Sequence, residues 1–192
     1  MNSNEILDEP QGSRLVAESV SELLKVIVIS LIIIIPVRYF LLQPFFVKGA
    51  SMEPNFYDHE YLVIDEISYR FKNPQRGEIV VFRYPKDPRQ YFIKRIVGLP
   101  NETIEIKDNL VFVNGVKIDE AGYLSADTVT LGNVFTKLGP NEFFLMGDNR
   151  NFSLDSRTFG AVDRHFLIGR AWFRGFPFNK FRIFEPPAYK LN

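Results

Sequence analysis

An apolar stretch near the N-terminus stands out in the pattern of hydrophobic positions along the chain. Residues 26–37 contain no charged side chain, and after Arg38 a second apolar stretch covers residues 39–47. A bilayer core of roughly 30 Å needs about 20 apolar helical residues, so the segment spans a membrane only if Arg38 extends to the interface. Four consecutive isoleucines lack the amphipathic period of a core helix, and the flanks lack the strongly basic region of a signal peptide. We therefore predict a transmembrane anchor over residues 23–44, after a short tail over residues 1–22.

Beyond residue 45 the pattern changes to short runs of Val, Ile, Phe and Tyr, which Gly, Pro and an Asn-Gly pair interrupt. This texture is typical of a mainly β domain, which we predict over residues 45–192. Asn114-Gly115 predicts a type I′ hairpin between two strands. The predicted strands are 45–48, 61–65, 78–84, 92–98, 103–106, 110–113, 116–118, 142–146 and 169–173.

The composition excludes several kinds of chemistry. The 192 residues include no Cys and two His, so a disulfide scaffold, a thiol nucleophile and a Cys-ligated metal are ruled out. Basic and acidic side chains number 23 each, and no run of Lys or Arg offers a basic patch to nucleic acid. We therefore expect no metal, no other cofactor and no nucleic-acid partner. Any hydrolytic chemistry must use hydroxyl, amine and carboxylate groups.

Three polar segments interrupt the strand pattern. Residues 49–54 follow the apolar stretch and present Ser51 in a turn that ends at Pro54. Residues 91–100 carry Lys94 and Arg95 on opposite faces of a predicted strand, so one cation shares a face with apolar side chains. A desolvated lysine there would have a lowered pKa.

The third polar segment, residues 147–160, is rich in groups that hydrogen-bond to the backbone and to each other. Each segment also has a purely structural interpretation. Ser51 could simply begin a turn, Lys94 could guard an edge strand, and Asp155 with Arg157 could form an ion pair in a solvated loop. Together, however, the segments supply the parts of a Ser/Lys hydrolase: a hydroxyl nucleophile, an amine that can be neutral, and a supporting loop.

The motifs in these segments resemble, in order and spacing, those of bacterial type I signal peptidases, also called leader peptidases. The resemblance extends from the apolar stretch to about Trp172, and the single anchor is similar to that of the one-span members. The motifs that carry it are Ser51-Met-Glu-Pro54, Lys94-Arg-Ile-Val-Gly-Leu-Pro100, Gly147-Asp-Asn-Arg150 and Ser153-Leu-Asp-Ser-Arg157.

The resemblance implies a role for each matching residue. Ser51 corresponds to the nucleophile, and its backbone N–H to an oxyanion donor. Lys94 corresponds to the general base, and Ser153 to a hydroxyl that orients the lysine. Asp155 and Arg157 correspond to an ion pair that braces the catalytic loop.

The resemblance also implies how the site is supported and what it binds. Asp148 and Asn149 correspond to structural residues of the loop. Exported preproteins are the implied substrates, bound as an added strand, with small residues of the Ala-X-Ala type at P1 and P3. The implied location is the plasma membrane, with one span in the lipid bilayer and the catalytic domain on the extracytoplasmic side. Substrate contacts are expected at Gly49, Ala50, Met52 and Phe92.

Two positions depart from the family pattern. Some members carry, two residues before the nucleophile, a Ser whose hydroxyl assists the oxyanion hole, and Gly49 cannot donate through a side chain. Relatives also often show Pro-Gly-Asp where this chain has Pro100-Asn101-Glu102. The first departure leaves the second oxyanion donor open, and the second leaves the turn geometry open.

Three alternative functions remain at the level of sequence. A self-cleaving repressor-type peptidase also uses a Ser/Lys dyad, but such proteins are soluble and usually carry a DNA-binding domain. A non-enzymatic, membrane-tethered β-module would require Ser51 and Lys94 to lie far apart. A Ser/His site would use His59, eight residues after Ser51, which is explained more simply as part of an exposed loop.

Overall fold

The computed structural model describes residues 11–40, 42–125 and 127–185. Two units make up the chain, residues 1–41 and residues 42–192. The first ten residues of the predicted tail lie outside the described residues.

The first unit contains one long helix, α1, which covers Gln11–Phe40. It begins well before the predicted anchor, because Ala, Glu, Leu and Lys, which are good helix formers, occupy many of residues 17–25. The large apolar side chains from Leu23 to Ile35 are exposed. Among the described residues, no helix combines the length and the apolar character needed to cross a membrane.

The regular structure of the second unit consists mainly of strands, which confirms the mainly β prediction. Two one-turn α-helices, α2 (Ser68–Phe71) and α3 (Ser156–Phe159), interrupt them. The strands are β1 (Leu42–Phe46), β2 (Tyr61–Asp65), β3 (Ile79–Tyr84), β4 (Asp87–Gly98), β5 (Thr103–Lys107), β6 (Leu110–Val113), β7 (Val116–Lys117), β8 (Val134–Lys137), β9 (Glu142–Met146), β10 (Val162–Asp163), β11 (Leu167–Phe176) and β12 (Arg182–Ile183).

The strands form two antiparallel sheets. The larger sheet has the order β1-β2-β11-β3-β4-β9-β10, and β12 also pairs with β11. The smaller sheet has the order β7-β6-β5-β8. Asn114 and Gly115 join β6 to β7 with φ values of 53° and 81°. Two positive φ values are what a type I′ turn requires, so the hairpin prediction is confirmed.

Several predictions about strands need correction. Strand β1 covers Leu42–Phe46 rather than residues 45–48 and so begins inside the predicted anchor 23–44, because it pairs with β2. Strand β11 is longer than the predicted 169–173, because it pairs with both β2 and β3. Strand β4 begins at Asp87 rather than at residue 92, because its first half continues the hairpin with β3, as the Arg83–Tyr91 pair shows. Strand β8 was not predicted, since four residues give little periodicity, and it is defined by its pairing with β5. The two-residue strands β10 and β12 were also missed, because each depends on a tertiary partner.

Side-chain alternation along the strands divides the apolar core into three clusters. Strand β3 directs Ile79 and Val81 into one cluster and Val80 and Phe82 into another. Strand β9 similarly serves two clusters, one of which fills the space beneath the smaller sheet. This arrangement uses the period of two of a strand to bury both faces of the larger sheet.

The turn after β4 contains one residue in the left-handed conformation, although its sequence is Pro-Asn-Glu and not Pro-Gly-Asp. Asn101 has a φ of 67°, a conformation that Asn tolerates better than most residues. The Glu102 carboxylate accepts a hydrogen bond from the Leu99 N–H at 2.7 Å and pairs with Arg76. The Glu102 side chain therefore closes this turn, which answers the question about the turn geometry that the sequence left open.

We predict that Gly98→Ala destabilises the β unit. A Cβ at Gly98 would lie 2.6 Å from Ile104 Cδ1 and 2.8 Å from Phe144 Cβ, which forces the two sheets apart. Overpacking of this kind costs about 1–3 kcal/mol of unfolding free energy. The control is Gly122→Ala, where no atom lies within 4 Å of the new Cβ. Urea unfolding of the full chain in mild detergent checks this, and equal midpoints for the two variants would contradict it.

Candidate active site

Ser51 is placed by a turn whose apolar side chains are buried in the core. Before the turn, the Val47 N–H donates to the Glu60 carbonyl at 2.9 Å, which ties this segment to the start of β2. After Ser51, the Phe56 N–H donates to the Met52 carbonyl at 2.9 Å. Met52 and Phe56 are 1% and 0% exposed. Their burial leaves Ser51 half-buried at the core surface.

The backbone around Ser51 leaves its own N–H free. Among the described residues, no acceptor lies within hydrogen-bonding distance of the Ser51 N–H. Two residues earlier, Gly49 has a φ of 86°, and its N–H donates to Asp58 Oδ1 at 2.9 Å. Gly49 thus shapes the approach to Ser51 through its backbone.

Lys94 lies on β4 directly beside the Ser51 hydroxyl. Its Nζ donates to Ser51 Oγ at 2.7 Å and to the Ile93 carbonyl at 2.8 Å, and the residue is 4% exposed. Burial lowers the pKa of Lys94 to about 8, although the charges of Asp155 and Asp148 act in the opposite direction. The amine can therefore lose its proton close to neutral pH. A non-enzymatic β-module would require these two side chains to be far apart, so the observed contact argues against that alternative.

Asp148 anchors the loop that follows β9. Its carboxylate accepts two hydrogen bonds from the Arg95 guanidinium, at 2.8 and 2.6 Å, and one from Asn55 Nδ2 at 2.9 Å. The next residue, Asn149, contacts the Ser51 segment directly. Its N–H donates to the Ser51 carbonyl and its side-chain amide to the Ala50 carbonyl, each at 3.1 Å. The loop and the Ser51 turn are thus held together by backbone hydrogen bonds.

Asp155 and Arg157 form the ion pair that was expected in this loop, with an N–O distance of 2.9 Å. Asp155 is fully buried and also accepts a hydrogen bond from the Gly147 N–H at 3.1 Å. Burial would raise the pKa of Asp155, but its hydrogen bonds and the Arg157 charge outweigh this and keep the pKa below its usual value. The loop is therefore closed on itself around an ionised carboxylate.

The hydroxyl of Ser153 is buried beside the Asp155 carboxylate, and its interaction with that group helps to keep the Asp155 pKa low. It lies against Gly147, where an added Cβ would come within 2.2 Å of it. The hydrogen bonds of Lys94 go instead to Ser51 and Ile93, so the contact between Ser153 and Lys94 that was expected is not formed.

A cleft of about 600 Å³ opens beside Ser51 and Lys94, and most of its lining is apolar. Of the residues expected to contact substrate, Phe92 lines the cleft. Gly49 and Ala50 are exposed on the segment that leads to Ser51. Met52 needs correction, because its side chain belongs to the buried core and is not part of the cleft lining.

His59 does not take part in this arrangement. Its Nδ1 lies 2.7 Å from the Asp58 carboxylate, its side chain is 76% exposed, and its ring packs edge-on against Phe46. Within the described residues, no group of three or more potential ligands is placed to hold a metal ion.

Three residues that support the site were not among those expected. Arg95 could have been anticipated, because an arginine next to Lys94 on a strand buried on both faces needs a carboxylate partner. Arg150 donates to the Gly147 carbonyl at 3.0 Å and pairs with Glu120, so it links the loop to the chain after β7. Asn55 donates to Asp148 and to the Tyr123 carbonyl, and nothing in the sequence distinguishes it.

Comparison with known proteins assigns the chain to a family. The family model described as signal peptidase, peptidase S26, matches residues 20–176. The probable signal peptidase I-2 of Synechocystis sp. is 38% identical over 161 residues, which cover 81% of this chain and 73% of that protein. The signal peptidase I of Bacillus licheniformis is 34% identical over 174 residues, covering 85% of this chain and 92% of that protein.

Among solved structures, the crystal structure of a signal peptidase I from Enterococcus faecalis V583 is 31% identical, with a TM-score of 0.45. The match covers 52% of this chain and 97% of that one. The family model includes all three polar segments, and the two relatives each cover more than four fifths of the chain. The chain therefore belongs to the signal peptidase family S26, the serine peptidases that remove signal peptides.

Proposed function

We propose that this chain cleaves signal peptides from exported preproteins with Ser51 as nucleophile and Lys94 as general base. The observation that carries the proposal is the 2.7 Å contact between Lys94 Nζ and Ser51 Oγ in a buried environment. A serine hydroxyl is a weak nucleophile until a base accepts its proton. A neutral amine at this distance is such a base, and the lowered pKa makes the neutral form accessible.

The proposed reaction has two halves. Neutral Lys94 takes the hydroxyl proton as Ser51 Oγ attacks the scissile carbonyl. The Ser51 N–H, which has no acceptor among the described residues, stabilises the negative oxygen that develops. The Lys94 ammonium then gives its proton to the leaving amine of the mature protein. In the second half, Lys94 activates a water molecule that hydrolyses the acyl-enzyme, which releases the signal peptide and restores Ser51.

The surrounding loop has a positioning role in this proposal. Asn149 holds the carbonyls of Ser51 and Ala50, which sets the direction of the Ser51 N–H. Asp148, Asp155 and Arg157 keep the loop in place. We retain Ser153 as a candidate for orienting Lys94, because its buried hydroxyl lies beside Asp155, whose charge acts on the lysine.

Substrate selection follows from the cleft. We propose that the preprotein binds as an extended strand and places its P1 and P3 side chains on the apolar floor formed by Val47, Leu62 and Ile93. A shallow apolar pocket accepts Ala, but it admits neither large side chains nor charged ones that would lose their hydration.

We further propose that α1 anchors the enzyme in the plasma membrane, with the β unit on the extracytoplasmic side. The exposed apolar side chains from Leu23 to Ile35 support the anchor, because such a surface needs a nonpolar environment. The resemblance to signal peptidases implies that preproteins are cleaved on the extracytoplasmic side, and this supports the proposed orientation of the β unit. The proposed span covers the part of α1 from residue 23 to Phe40, whereas residues 42–44 of the predicted range belong to β1 instead.

Substitution at the dyad tests the proposed mechanism. Ser51→Ala and Lys94→Met are each expected to lower kcat/KM for a model preprotein by about a thousandfold or more. His59→Ala is the matched control and should retain near-normal turnover.

The stability of Lys94→Met separates lost chemistry from lost folding. A folded-state pKa of about 8, against the ordinary 10.5, means that burying the charged amine destabilises the fold below about pH 8. This cost disappears as the pH rises towards 10.5. Lys94→Met should therefore melt at the same or a higher temperature at pH 7, and its advantage should shrink by pH 10. A large drop at pH 7 would identify Lys94 as a charged structural residue.

The pH dependence of kcat/KM provides a second prediction. Lys94 accepts a proton only in its neutral form, which becomes the major form above a pKa of about 8. Activity should therefore rise by about tenfold per pH unit below pH 8 and level off above it. Hydrolysis of a peptide substrate without other ionisable groups, followed from pH 6 to pH 10, measures this. A flat profile over that range would show that Lys94 is not the base.

Carbonate extraction of membranes tests the proposed anchor. The full chain should stay with the membrane fraction, whereas a variant with Ile32→Lys and Ile34→Lys should be released, because charges in an apolar span are costly. The matched control is Val16→Lys with Val20→Lys, which adds the same charge before the apolar stretch and should remain membrane-bound. Release of the wild-type chain would contradict the anchor.

A further inference from the structure

The cleft beside Ser51 has an unusual charge distribution. Among the described residues that line it, Lys48 and Lys94 are cationic and none is acidic. Lys94 is buried and hydrogen-bonded to Ser51. Lys48 is exposed and makes no ion pair or hydrogen bond with any described residue. An apolar cleft with one unpaired, solvated cation at its edge favours an anionic group in a bound ligand.

Two carboxylates that are tied to the residues on either side of Lys48, those of Asp58 and Glu60, are already engaged, and the structure describes no ion pair between Lys48 and Glu53, the acidic residue nearest to it in the chain. Asp58 accepts the Gly49 N–H at 2.9 Å and lies 2.7 Å from His59 Nδ1. Glu60 is buried and pairs with Arg174 at 2.9 Å. Neither carboxylate forms an ion pair with Lys48. The Lys48 ammonium therefore remains available to a ligand in the cleft.

The contrast in burial between the two residues after β1 indicates where on the substrate the anion would be. Val47 is buried and contributes to the apolar floor, whereas its neighbour Lys48 is exposed at the rim. An extended substrate that places P1 and P3 on this floor directs P2 away from it, towards the rim. Lys48 is three residues from Ser51, at most about 10 Å along an extended backbone, and its side chain reaches several ångströms further. The P2 side chain is therefore within its range.

We propose that Lys48 is a specificity-determining residue that selects preproteins with an acidic side chain at P2 and disfavours those with a basic one. This inference rests on the proposed function, since it assumes cleavage at Ser51 in this cleft. An ion pair at a solvated rim contributes modestly, so the expected preference for Glu over Gln at P2 is about threefold to fivefold. Repulsion of Lys adds to this, which makes the Glu-to-Lys ratio about tenfold.

The experiment measures kcat/KM for three preproteins that carry Ala at P1 and P3 and differ only at P2, which is Glu, Gln or Lys. The enzymes are the full chain in neutral detergent as wild type, Lys48→Gln and Lys48→Glu. Wild type should cut in the order Glu, Gln, Lys. Lys48→Gln should cut all three within about twofold, and Lys48→Glu should reverse the order. The wild-type preference should also weaken in 0.5 M salt, because salt screens exposed charges.

Two controls make the outcome specific. Lys137→Glu introduces the same change in net charge on β8, away from the cleft lining, and should keep the wild-type order. Moving the Glu from P2 to P2′ should abolish the dependence on Lys48. The Gln substrate tests cleavage itself, so a failure of the proposed function shows as no Ser51-dependent cutting of any substrate. Equal cutting of Glu and Lys substrates by the wild type, or an unchanged order in Lys48→Glu, would overturn the role of Lys48.

Discussion

The contact between the Lys94 amine and the Ser51 hydroxyl constrains the rest of the structure. An amine accepts a proton near neutral pH only if its charged form is disfavoured, and burial is the physical means by which this chain disfavours it. The same burial requires that Lys94 lie inside a well-packed sheet, where β4 is paired with β3 and β9. The Ser51 hydroxyl must then come to the lysine from another segment, and the burial of Met52 and Phe56 holds the Ser51 turn in that place.

The two buried carboxylates of the catalytic loop fit the same constraint. A negative charge near Lys94 raises its pKa, and both Asp148 and Asp155 have this effect. Each carboxylate is paired with a guanidinium, Asp148 with Arg95 and Asp155 with Arg157. Asp155 can therefore accept hydrogen bonds from the N–H groups of Gly147 and Arg157, and Asp148 one from the Asn55 side chain, while much of the negative charge is neutralised. The loop therefore gains a defined shape without returning the lysine to its ordinary basicity.

Strand β4 connects the parts of the proposed mechanism. Its first half borders the cleft, its centre carries Lys94 and Arg95 in consecutive positions, and its end packs against the smaller sheet at Gly98. Consecutive residues of a strand face opposite sides, so Lys94 contacts Ser51 on one side of β4 and Arg95 contacts Asp148 on the other. The smaller sheet packs against β4 and β9, two strands that carry or adjoin the site, through the apolar cluster that it shares with them.

The sequence by itself determined the fold class and the segments that form the site. Alternating apolar residues and the Asn114-Gly115 turn are local signals, so the mainly β fold and that hairpin could be predicted from them. The motifs around Ser51, Lys94 and Asp148 could be recognised because the sequence alone gives their order and spacing. Only the tertiary structure decided that Met52 is a core residue, that Lys94 hydrogen-bonds to Ser51 and Ile93 and not to Ser153, and that Asn55 and Arg150 support the loop. These outcomes depend on contacts between residues far apart in the chain, and the periodicity of a single strand carries no information about which distant side chain lies opposite it.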